Sequence, residues 1–83
     1  MVEEFKYSLH ALDMMLERGI AKKWVESTLA EPTSVDHKGD GTRHYSRPIA
    51  DREGRYLRVI VNPEALPKTI ITTFFDRRSG RKL

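Results

Sequence analysis

Cysteine is absent from the 83 residues, which removes disulfide frameworks and thiolate metal sites from consideration. No apolar run approaches the roughly eighteen residues that a membrane-spanning helix needs. The opening MVEEFKYSLH has two acids where a secretory signal needs bases before an apolar stretch, so a cytoplasmic protein with no membrane partner is expected. The chain has no glycine-rich phosphate loop, no nucleophile elbow and no dinucleotide fingerprint, and no cofactor is implied. Metal chemistry is disfavoured as well. Asp36, His37, Asp40 and His44 gather in DHKGDGTRH but match no zinc spacing. A calcium-loop register starting at Asp36 would put Arg47 where the bidentate glutamate belongs. A chain this short forms one domain and buries only about 60–65% of the surface its unfolded form exposes.

Acidic residues are scarce in one half only. Residues 1–42 hold five Lys+Arg against eight Asp+Glu, a balance of −3, whereas residues 43–83 hold ten against four, a balance of +6. Eight of those ten cations are arginine, whose planar fork suits phosphate better than the point charge of lysine. Two readings stay open at this level. The basic half is a phosphate-facing surface, or it is a solvated sheet face followed by a basic tail.

Hydrophobic periodicity divides the chain in two. Residues 3–7 read as a short edge strand leading to Ser8, a good N-cap. Leu9, Ala11, Leu12, Met15 and Leu16 then fall in one arc at helical spacing, and Gly19 and Ile20 supply a left-handed stop and its apolar contact. A second helix is expected over Lys22–Ala30, with Trp24, Val25, Thr28 and Leu29 on one stripe and Pro32 ending it. From Thr33 the period becomes two. Strands are expected over Ser34–Lys38 and Thr42–Ile49 around the hairpin signal GDG, over Arg55–Asn62 after DREG, and over Lys68–Asp76. The expected fold is α+β: a two-helix N-terminal hairpin (about 8–31) on a four-stranded antiparallel twisted sheet (about 33–76), with a basic tail at 77–83.

Two groups of residues invite chemistry. His10 lies in the first turn of the first helix, opposite Leu9, Leu12 and Leu16 and in line with Glu17, so it does not fill core space. The positive end of the helix dipole disfavours imidazolium there, and a neutral ring is able to accept a proton. The competing reading is a solvated first-turn histidine with no task. In TRHYSR, strand alternation sends Arg43, Tyr45 and Arg47 to one face and His44 and Ser46 to the other. Arginine–tyrosine–arginine offers two phosphate donors around a ring that stacks on a base, or merely an outward sheet face. Arg58 adds to one face or the other. Thr72 and Thr73 interrupt the closing strand, and Arg77 follows it.

SLHALDMMLERGI resembles the pattern S-x-H-A-x-x-R-M-x-x-R-G-I that opens a family of small uncharacterised bacterial and phage-borne domains, which looks related to the RelE and BrnT ribonuclease toxins. The likeness continues through WVESTLAEP, RHYSR, LRVIV and IITTFFD, from about Tyr7 to Asp76. It implies the helix pair and twisted antiparallel sheet of those toxins. It also implies metal-independent cleavage of RNA: a base takes the 2′-hydroxyl proton and the oxygen attacks the adjacent phosphate. By match to the pattern His10 would be the acid/base, Arg18 the second motif position and Thr73 the closing-strand threonine. Arg43 and Tyr45 would match the basic-aromatic strand. The partners implied are RNA and an acidic antitoxin covering the basic sheet. The chain departs from the pattern at Met14, which replaces the arginine one turn after the histidine. A non-catalytic relative that holds RNA or a protein partner through Arg43, Arg47, Arg58 and the tail is the alternative expectation.

Overall fold

The computed structural model describes residues 4–76. Within them the order is β1 (Phe5–Tyr7), α1 (Leu9–Arg18), α2 (Lys22–Ala30), β2 (Ser34–His37), β3 (Arg43–Ile49), a 3-10 turn (Ala50–Arg52), β4 (Arg55–Asn62) and β5 (Lys68–Asp76). No helix among these residues is long and apolar enough to cross a membrane.

Helix α1 begins where the sequence has a capping serine. The Ser8 hydroxyl accepts from the Ala11 amide at 3.0 Å and donates to the Ile71 carbonyl at 2.9 Å, so one side chain both starts the helix and ties it to the sheet. It ends at Gly19, whose φ of +64° is costly for any residue with a Cβ. The Ile20 amide then returns to the Met15 carbonyl at 2.8 Å.

The sheet has five strands in the order β1-β5-β4-β3-β2. Strands β2 to β5 pair antiparallel, and β1 pairs parallel with β5, with Phe5 opposite Lys68 and Tyr7 opposite Ile70. The α+β architecture with its helix pair therefore holds, and the short N-terminal strand lies at the sheet edge; its parallel pairing makes the sheet five-stranded and mixed rather than wholly antiparallel. The parallel pairing joins residues 63 positions apart, and a three-residue strand has no periodicity from which its partner can be read. Between Ile60 and Val61 the register shifts, leaving Ile71 without an opposite residue in β4. The Ile71 carbonyl is the one that Ser8 takes, a use typical of a bulge that ends regular pairing.

Helix α1 lies over β5, and α2 over β4 and β3, on one face of the sheet. The core between them is formed by Leu57, Val59, Val61, Ile70, Tyr45 and Ile49 from the sheet side and Ala11, Met15, Ile20 and Val25 from the helix side. Alternation in LRVIV is thus read correctly: Leu57, Val59 and Val61 are all fully buried. The apolar arc of α1 is only partly a core face. Ala11 and Met15 point inward, while Leu9, Leu12 and Leu16 are 81%, 46% and 85% exposed. A ten-residue helix lying on a sheet presents little more than a third of its circumference to it, and the two smaller-angle positions fill that third.

Candidate functional site

The sequence-predicted residues occupy three separate places. His10 is exposed in the first turn of α1, and among the described residues no side chain hydrogen-bonds or ion-pairs with it. Met14, one turn on, is half-buried, and Arg18 is exposed at the other end of the helix. Eight residues separate His10 from Arg18, which is about 12 Å along the axis and about 80° around it.

The second place is the helix-side face of β3. Arg43, Tyr45 and Arg47 do share a face, but Tyr45 is buried there at 8% exposure, its ring edge-on to Phe5 at 6.5 Å between centroids. Its assignment as an RNA-stacking aromatic is therefore corrected: alternation gives the face, and the covering helices decide that this face is the core. Arg47 donates from Nη1 to the Glu31 carbonyl at 2.6 Å, and the Glu31 carboxylate is 4.0 Å away. A cation at this position satisfies the exposed end of α2. Thr73 is likewise inside. It is fully buried, and its hydroxyl donates to the Arg58 carbonyl at 3.1 Å, so the closing-strand threonine crosslinks two strands rather than facing a ligand.

The third place is the opposite face of the sheet. Arg58 donates from Nε and Nη2 to one oxygen of Asp76, at 3.0 and 2.5 Å, and its Nη1 lies 3.9 Å from Asp36 and 3.3 Å from Nδ1 of His44. Two carboxylates around one guanidinium leave little net positive charge for a phosphate, so the donor role expected of Arg58 is corrected to an internal strut. Arg77 lies outside the described residues.

The His44 contact fixes a tautomer. A guanidinium only donates, so Nδ1 of His44 must accept and the ring proton of the neutral form rests on Nε2. Burial and the Arg58 and Lys38 charges push the His44 imidazole below its ordinary value, against a smaller opposing pull from Asp40 and Asp36. The folded state then binds fewer protons than the unfolded chain, so this stabilisation is present above the unfolded value of about 6.5 and is lost as pH falls through the folded one. The denaturation midpoint is expected to drop between pH 7.5 and 5.5. In His44→Asn, which keeps an acceptor near Nδ1, the drop should be smaller; an identical drop in thermal melts would remove His44 as its source.

The sequence does not single out Arg52 and Arg55, because DREG reads only as a turn. The Arg52 Nη2 donates to the carbonyls of Gly19 at 3.0 Å and Arg18 at 3.3 Å, closing the C-terminal end of α1. Its guanidinium also lies over Trp24 and Phe75. Alternation from Leu57 back to Arg55 was the available signal that an arginine enters the helix-side face.

The helix pair, the mixed sheet and these placements define a small α+β domain with a lone exposed histidine at the start of its first helix. Residues 7–75 match the model of a family described as a domain of unknown function (DUF4258), and the chain belongs to that family. No curated protein and no solved structure matches the chain significantly.

Proposed function

We propose that the domain is a toxin-like, metal-independent endoribonuclease in which His10 is the proton acceptor. The observation that carries this reading is the state of His10: exposed, in the first helical turn, and engaged by no described group. A first-turn imidazole held by a rigid helix is able to take the proton of a ribose 2′-hydroxyl. The 2′-oxygen then forms a bond to phosphorus, the bond to the 5′-oxygen breaks, and the departing oxygen takes up a proton, leaving a cyclic phosphate and a 5′-hydroxyl. Arg18 and Arg43 are the sequence-predicted cations that reach solvent on the helix side of the sheet. They are assigned to the RNA backbone, since Arg18 lies about 12 Å along the helix from His10. Neither Thr73 nor Tyr45 has a part in this scheme. The resemblance to the RelE and BrnT toxins supports the reaction class and an acidic antitoxin as the partner of the basic half of the chain.

The test is incubation of purified protein with single-stranded RNA in EDTA, with end analysis of the products. Cyclic-phosphate ends that disappear in His10→Ala are expected, and cutting by His10→Ala at the wild-type rate would overturn the assignment. The burial of Thr73 and the methionine at position 14 favour a second reading, a non-catalytic RNA-binding module descended from such an enzyme. That reading expects RNA binding without turnover, and cleavage gained by Met14→Arg.

A further inference from the structure

Two guanidinium groups converge on one aromatic ring where β4 begins and β5 ends. Arg52 Cζ is 5.2 Å from the Phe75 centroid and 5.4 Å from that of Trp24, and Arg55 Cζ is 5.4 Å from the Phe75 centroid. Trp24 and Phe75 meet edge-on at 6.2 Å, and both are half-buried against the core. Contacts of this kind pin the planar guanidinium and leave its N–H edge facing outward.

Like charges held at one ring repel, and arginines gathered in this way are ordinarily neutralised by a carboxylate. Here they are not. Among the described residues the ion pairs belong to Arg47 and Arg58, and neither Arg52 nor Arg55 has a carboxylate within 4.0 Å. Asp51 and Glu53, which flank Arg52 in the sequence, are exposed and turn to neither. Arg52 uses Nη2 on the carbonyls that end α1 and makes no described hydrogen bond through its other nitrogens. Arg55 is exposed and engaged only by the ring. The exposed Arg18 side chain leaves the same turn whose carbonyls Arg52 holds, adding a third cation at this end of the molecule.

We infer that Arg52 and Arg55 form a binding site for a backbone phosphate of single-stranded RNA, with Trp24 and Phe75 as the wall that orients the two guanidinium planes. This rests on the RNA-directed function proposed above and extends it, by placing a strand contact at the Arg18 end of α1, about two helical turns from His10. Forked guanidinium donors suit a tetrahedral anion.

The experiment is fluorescence anisotropy of the full chain with a labelled single-stranded RNA 12-mer across a salt series, beside Arg55→Ala and Arg52→Lys. Arg52→Lys retains a donor for the α1 carbonyls, and Arg55 is exposed, so thermal midpoints serve as the folding control. Arg55→Ala is expected to weaken binding roughly tenfold at low salt and to reduce the slope of log affinity against log salt by about 0.7. Because the contact is to phosphate, the same loss is expected on a DNA oligomer of the same sequence. Wild-type binding that neither substitution weakens would overturn this site while leaving the RNA reading intact. A loss confined to RNA would overturn phosphate as the ligand. A wild-type chain with no affinity for the 12-mer would overturn the RNA reading and this site together.

Discussion

His10→Ala should lower RNA cleavage by about 10²–10⁴-fold, the usual contribution of a positioned general base, without moving the thermal midpoint. The two halves of that expectation come from separate observations. His10 is exposed and has no described partner, so its removal empties no cavity and strands no buried group. Such surface changes stay within about 0.5 kcal/mol. Proton abstraction occurs only on the way to the transition state, so the loss should fall on kcat and leave KM in place. An exposed position also permits a chemical complement: added imidazole should restore part of the activity of the alanine variant. A rise in KM at constant kcat would instead make His10 a binding contact. Met14→Arg, in the same preparation, bears on the alternative: cleavage that appears in the variant and is absent from the wild type would favour the binding module.

Arg58→Ala should destabilise the fold by about 3 kcal/mol, read as a fall in the urea midpoint at constant slope. Arg58 and Asp76 side chains are only 16% and 18% exposed, and the guanidinium makes two charged hydrogen bonds to one Asp76 oxygen. Removing the cation leaves a largely buried carboxylate without those bonds, and the penalty is mainly the desolvation of that charge. A loss below about 1 kcal/mol would place the pair among surface ion pairs. The outcome also decides what Arg58 does for RNA. An internal strut loses RNA binding only in proportion to the fraction unfolded, whereas a phosphate donor loses it in fully folded protein.

Local chemistry made much of this fold legible. Ser8, Gly19 and Pro32 mark helix ends because a hydroxyl cap, a left-handed backbone and a missing amide act within a few residues. Leu57, Val59 and Val61 declare a buried strand face by alternation alone. His10 stood out for the same reason, as a polar residue outside the helix's inward arc. Nothing local distinguishes the two ends of that arc, so Leu9, Leu12 and Leu16 read as core until the sheet is in place beneath Ala11 and Met15.

What the chain alone determined is the type and order of the helices and strands, their ends to within about two residues, and which residues share a face, because those depend on dihedral preferences and period. Which face is covered, and what each cation meets there, was decided only by tertiary structure. Tyr45 and Thr73 became interior, Arg58 became a strut between carboxylates, and Arg52 and Arg55 came together over Phe75 from a segment that reads as a turn. The reason is physical. Burial and charge pairing depend on groups brought near in space from positions far apart in the chain, and neither propensity nor spacing records that approach.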